Sequence, residues 1–401
     1  MKKTLLFFFA AILVTALFAQ WSDDPASPTT IAGFPAEQVL PKVAISDCGH
    51  TYISRFDNNG GAYKVYLNLL APDGTALWTD PNGLLVSDHN QMSWLTEYDL
   101  TVDNGGNAVV VFQDIRNAGV NNVVAYKISP DGEFLWGADG IALSSDTSTD
   151  YGNMSPVVFN SADNSTYIAW QRMGTVTNIV MNRLSPDGQK LWGESGITLA
   201  PTPDGSLTWP QIIQADGDNI LLTFYHDTGP YWAPTRHIYV SKYSPAHQEL
   251  WNTLITDAGG IPAWEQLIPF ESDGSGGGIL AWYEDRDSNM DNDVYCQRVA
   301  SSGNITMPED GALMSIDPVN QQYYPKLAVD PLNEDIYAFF RVTDANQNSW
   351  GLARQMLDYS GNRVWSETAL LFIDIGGVEV NTVDAYFAGQ GAVCLYEFNT
   401  D

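Results

Sequence analysis

A short stretch recurs along this chain at nearly constant spacing, and the recurrence limits the possible folds more than any other feature. Ser129-Pro130-Asp131-Gly132 leads to Trp136, Ala71-Pro72-Asp73-Gly74 to Trp78, Ser185-Pro186-Asp187-Gly188 to Trp192, and Ser360-Gly361 to Trp365. In two further copies His247 replaces the glycine before Trp251, and Met307 replaces the tryptophan after Gly303. The six landmarks lie 56 to 59 residues apart. A fixed period of this size means one supersecondary unit stacked repeatedly on itself.

Each period holds four β-like runs. In the first unit they are Lys42-Val43-Ala44-Ile45, then Thr51 to Phe56, then Tyr63 to Leu69, then a fourth around Leu77-Trp78 and on to Leu84-Leu85-Val86. The third alternates in the period-2 manner of a half-buried strand. Asp-Gly between apolar runs is a hairpin signal, because glycine accepts the positive φ of a tight turn. The second run ends on an aromatic in seven copies: Phe56, Phe112, Trp170, Phe224, Trp282, Phe339 and Tyr396. No segment keeps a 3.6-residue pattern, so the fold class is all-β.

Four antiparallel strands repeated radially make a β-propeller. The expected ring has seven four-stranded blades with the last incomplete; the alternative is a six-bladed ring with extra strands outside it. Blades fall at about 40–90, 91–147, 148–203, 204–258, 259–317 and 318–374, with a partial closing blade at 375–401. Trp21 lies 57 residues before Trp78, so 21–33 is expected to return as the closing blade's fourth strand. Nothing supplies that blade's third strand, which points to a truncated chain. Residues 1–19 form an export signal: Lys2 and Lys3, an apolar run from Leu5 to Phe18, and Ala19 before the cut. The mature protein, 20–401, is expected outside the cytoplasm, without a membrane span, as a monomer.

Eighteen Lys plus Arg face 48 Asp plus Glu, a formal charge of −30. Phosphate backbones would be repelled, which excludes nucleic acid as a partner. Cys48, Cys296 and Cys394 have no metal-ligand spacing and are read as buried thiols.

In a propeller the connections after second and after fourth strands share one face around the axis, and loops on a rigid scaffold are the usual place for binding. Connections from fourth to first strands carry Trp94, Tyr151, Trp209, Trp264, Tyr323 and Tyr324. These aromatics either stack a ligand or cap the first strands and fill the channel mouth. Loops after second strands add Arg116, Arg172, Arg286 and Arg341, with Tyr231 and Trp232 in the longer loop of the fourth unit. The same arginines suit a polar ligand or an Arg–carboxylate brace between neighbouring blades. Asp285, Asp287, Asp291 and Asp293 in one loop are the candidate Ca²⁺ ligands, the only cofactor in view.

The unit Trp282-Tyr283-Glu284-Asp285-Arg286, Asp293-Val294-Tyr295-Cys296-Gln297-Arg298-Val299, Ser302-Gly303 and Gly311 resembles the repeat of secreted bacterial propeller proteins with W-x-D-x-R, D-I-Y-A-Q-R and G-x-x-x-W motifs. Phe112-Gln113-Asp114-Ile115-Arg116 and the segment from Asn320 to Leu327 match further parts of it. The resemblance implies export and, in many such proteins, a sorting domain of the type IX secretion system, which this chain does not show. It implies no enzymatic activity. The Gly-xxx-Trp element is also similar to the tryptophan-docking repeats of quinoprotein propellers and to the Asp-box of sialidases.

Serine-hydrolase, zinc-protease and phosphate-loop signatures are absent. The sequence therefore predicts a secreted, non-enzymatic propeller that binds a glycan or protein through its loop face. The alternatives are a sialidase-like glycan hydrolase, whose acids come from separate loops (Asp227 or Glu284, for example), and a structural adhesion component.

Overall fold

Each repeat's turn glycine is where the architecture begins. Gly188 has φ of 87°, and a Cβ placed on it would lie 2.8 Å from Cδ1 of Trp136, in the preceding repeat. Only glycine meets both demands, a left-handed backbone and an indole against its face. In the same contact Trp136 Nε1 donates to the Pro186 carbonyl at 3.0 Å. The pattern recurs from Trp78 to Pro130 (2.8 Å), Trp192 to Pro245 (2.8 Å) and Trp251 to Ser301 (3.1 Å). Each of these four tryptophans thus docks on the next repeat's turn. Where His247 replaces glycine, it takes φ of 56° and its ring meets Trp192 edge-on. Where Met307 replaces tryptophan, it packs against Gly361 and Ala312.

The computed structural model describes residues 30–91, 97–149, 152–202, 204–230, 232–264, 267–389 and 391–399. Among these there is no helix, and the strands form six four-stranded antiparallel sheets in chain order plus one two-stranded sheet. The segments 1–19 and most of 21–33, expected as signal and closing strand, lie outside the described residues; 30–33 is not strand. The first strands are Gln38–Ile45, Asp99–Val102, Gly152–Asn160, Ser206–Gln214, Phe270–Ser272, Gln321–Asp330 and Glu379–Phe387. Each packs beside the next, which makes them the inner lining of a propeller. The two-stranded sheet pairs Glu379–Phe387 with Ala392–Asn399.

Fourth strands mostly start after the docking tryptophan rather than on it, as at Leu84–Ser87, Ile141–Ala142 and Ile197–Leu199. Glu249–Thr256 in blade four includes Trp251. The core lies between blades. Ile279, Ala281 and Tyr283 of blade five, for example, are buried against Leu327 and Phe340 of blade six. Second-strand aromatics Phe56, Phe112, Trp170, Phe224, Trp282 and Phe339 are buried, whereas Tyr396 in the two-stranded sheet is exposed.

Candidate active site

The inner strands share a local irregularity that aims side chains at the axis. Leu40, Ser155, Trp209 and Tyr324 have φ of 51–52°, and each precedes a proline. Pairing with the second strand slips there, between Val39 and Lys42, Thr208 and Gln211, and Tyr323 and Lys326. A non-glycine residue at positive φ costs roughly 1–2 kcal/mol, and a following proline disfavours helical backbone further. Such strain persists where the surrounding structure holds it, often at sites of function. The bulge delivers Trp209 to a pocket at the axis.

That pocket has a volume of about 50 Å³ and is bounded by Lys42, Glu97, Asp99, Ser155, Trp209 and Gln211, among others. Water occupies roughly 30 Å³ in the liquid, so the space suits one or two waters. Glu97 Oε2 accepts from Lys42 Nζ at 2.6 Å, both being partly buried. Asp99 Oδ1 accepts from its neighbour Leu100 N at 2.8 Å, and Oδ2 from Val158 N of the next blade at 2.9 Å. Burial within the ring raises the Asp99 carboxyl above the ordinary range, against the opposing pull of Lys42 and the two N–H groups. Two carboxyl groups thus stand in one pocket in unlike environments, Glu97 ion-paired to Lys42 and Asp99 buried against two backbone N–H groups.

On the same face Trp264 is 64% exposed, with Nε1 donating to Tyr283 Oη at 3.0 Å. Tyr324 is half-buried, its ring 5.3 Å from Tyr283 and 4.8 Å from the Arg341 guanidinium. Trp232 is 81% exposed. Trp94, Tyr151 and Tyr231 lie outside the described residues.

Tyr323, also named as a ligand contact, sits beneath the surface. It is buried, its hydroxyl donating to Gln321 and accepting from Gln347 and Asn292. The arginines expected to bind are also spent. Arg116 grips Asp114 and donates to the Asp139 carbonyl (2.8 Å) and Tyr126 Oη (2.9 Å). Arg286 grips Glu284, donates to the Asp310 carbonyl (2.7 Å) and stacks 3.9 Å from the Tyr295 ring. These two braces tie a second strand to the turn before its own fourth strand, within one blade. Arg172 instead reaches Asp146 across blades (2.8 Å), and Arg341 reaches Asn381 (2.6 Å) and Glu379 (3.3 Å) of the two-stranded sheet. Paired guanidinium groups of this kind hold loops rather than wait for a ligand.

The acids singled out for hydrolysis belong to braces as well. Glu284 is fully buried under Arg286, and burial pushes its carboxyl up to about 7. Asp227 pairs with Arg236 at 3.0 Å and accepts from Thr208 Oγ1 at 2.9 Å. The four-aspartate calcium loop does not form as expected. Asp285 caps Asn289 N and Met290 N, and Asp287 is exposed. Among the described residues no three His, Cys, Asp or Glu groups stand ready to hold a metal. The cysteines are free, with Cys48 exposed rather than buried.

No family profile matches the chain. No curated protein matches its sequence. Among solved structures it is similar to a polysaccharide lyase, an ulvan lyase, at TM-score 0.51 and 11% identity over 88% of this chain and 89% of the lyase. The same type of enzyme bound to a saccharide gives 0.50 and 11% over 89% of each chain. An α-L-arabinanase of Penicillium chrysogenum in complex with arabinobiose gives 0.46 and 10% over 82% and 97%. At these identities the likeness is one of fold. The two lyase structures of this fold are those of glycan-processing enzymes, which runs against the expectation of a non-enzymatic binding propeller.

Proposed function

We propose that this protein is a glycan-degrading enzyme that cleaves a glycosidic bond at the axial pocket. The observation that carries the reading is the pair Glu97 and Asp99 beside the strained Trp209. Glycoside hydrolysis needs two carboxyl groups in unlike states: one protonated to assist the leaving oxygen, one ionised to act as base or nucleophile. Asp99 is read as the donor, and Glu97, ion-paired to Lys42, as the carboxylate. The pocket has room for the attacking water. Trp209 and the exposed Trp264 supply flat apolar faces for sugar rings. The enzyme is read as exported, in keeping with the apolar segment behind Lys2 and Lys3. The ring is read as seven-bladed with an incomplete seventh blade, which the packing of Glu379–Phe387 beside Gln321–Asp330 supports.

The test is a panel of neutral and acidic polysaccharides incubated with the full chain, scored for new reducing ends and for ultraviolet-absorbing unsaturated ends. New reducing ends without unsaturation support hydrolysis. Unsaturated ends would mean elimination and replace the two-carboxylate mechanism. Binding without any product would remove the enzymatic reading.

A further inference from the structure

The sequence loop 285–293 finds an unexpected partner in blade six. Gln322, near the start of the strand Gln321–Asp330, is fully buried, and its Nε2 donates to Asp293 Oδ1 at 3.1 Å. Its Oε1 is a buried acceptor with no hydrogen-bond donor. Both atoms sit on one carbon, so the unmatched oxygen belongs to the same buried corner as the Asp293 carboxylate. Turning the amide over would only set its carbonyl against the same carboxylate. Asp291 Oδ1 and Asn292 Oδ1 in the same loop are also buried acceptors with no donor. Every unmatched atom here is an oxygen.

The charge is as one-sided as the hydrogen bonding. Burial first, and then Asp291, Asp317 and Asp287, push the Asp293 carboxyl up to about 6. Asp291 is raised by burial and by Asp317 and Asp285. Arg286 also acts on Asp293, but its guanidinium is committed to Glu284, the Asp310 carbonyl and the Tyr295 ring. Asp317 meanwhile caps Val319 N and Asn320 N. A cavity of about 340 Å³ between blades five and six, lined by Asp317 and Gln322 among others, opens at this corner.

We propose that this corner is a site for a hard divalent cation of the calcium type, held by Asp291, Asp293 and the Gln322 amide oxygen with water completing the shell. Buried oxygens without donors are costly, and a cation that takes six to eight oxygen ligands removes that cost while neutralising the acids. This donor set differs from four loop aspartates: it needs an amide from the next blade. Binding therefore clamps the 285–293 loop to the strand that carries Tyr323 and Tyr324, independently of any catalytic role for the axial pocket.

The test uses the full chain stripped with chelator, then titrated with calcium by calorimetry and with terbium by luminescence sensitised through Tyr323. One cation per chain is expected, with a Kd on the order of 10⁻⁴ M and a rise in Tm. Asp291→Asn and Gln322→Leu should weaken binding at least about tenfold and lose the Tm rise. Asp287→Asn, which removes only the weakest of the acidic neighbours that raise Asp293, should weaken binding far less than either variant. A folded wild-type chain with no heat and no terbium signal at about 1 mM would overturn the site. So would undiminished binding by both Asp291→Asn and Gln322→Leu.

Discussion

Gly188 shows how a single residue holds two blades. Its φ of 87° and its contact with Trp136 leave no room for a methyl group. Gly188→Ala combines a left-handed backbone cost of roughly 1–2 kcal/mol with overpacking of roughly 1–3 kcal/mol. Denaturant unfolding should report a loss of about 2–5 kcal/mol. A second residue sets a pH dependence. Glu271 lies on the inner strand Phe270–Ser272 with its side chain open to solvent. Crowding by the surrounding chain, with Asp384 adding repulsion, pushes its carboxyl up to about 7, a shift that contact with water weakens. A carboxyl raised on folding gives stability that is complete below the unfolded value near 4.5 and lost as pH rises through about 7. Tm should therefore fall across that window, and Glu271→Gln should flatten the fall. An unchanged slope in the variant would assign the dependence to other groups.

At the scale of elements, the docking tryptophan joins the fourth-strand hairpin of one blade to the third-strand turn of the next. Trp136→Phe keeps a ring but removes the donor to Pro186, at a cost of about 1 kcal/mol. Trp136→Ala should cost about 3–5 kcal/mol and speed hydrogen exchange in the 185–189 turn; unchanged exchange there would mean that the contact does not couple the blades. This contact was legible as a spacing, because a period of 56 to 59 residues already places each tryptophan beside a neighbour's turn. The arginine braces were half legible. An acid two residues before an arginine announces the pair, but the third partner, a carbonyl such as that of Asp139 or Asp310, comes from a turn some two dozen residues on. Its proximity depends on how the blade twists. Glu97 and Asp99 were not legible as a site. Lys42 and Glu97 are 55 residues apart, and only the packing of successive inner strands brings them together with Trp209. No local motif marks such a pocket, whereas Glu284 drew attention through a motif that proves to be a brace.

For the whole molecule, a formal charge of −30 bears on the substrate. The axial pocket's lysine is already engaged by Glu97, and Asp99 adds a second acid. A polyanionic chain meets repulsion at long range and no uncommitted cation in the pocket. Neutral polysaccharides should therefore be cleaved faster than uronate-rich or sulfated ones, and added salt should narrow the gap. Comparable rates on both classes at low salt would count against this electrostatic preference.

The most direct measurement compares Glu97→Gln with Glu284→Gln for release of reducing ends, under conditions where both variants remain folded. The account predicts that Glu97→Gln loses at least about 10²-fold in rate, while Glu284→Gln loses stability but keeps its activity per folded molecule. Equal activity of Glu97→Gln and wild type, or selective inactivation by Glu284→Gln, would contradict a catalytic axial pocket.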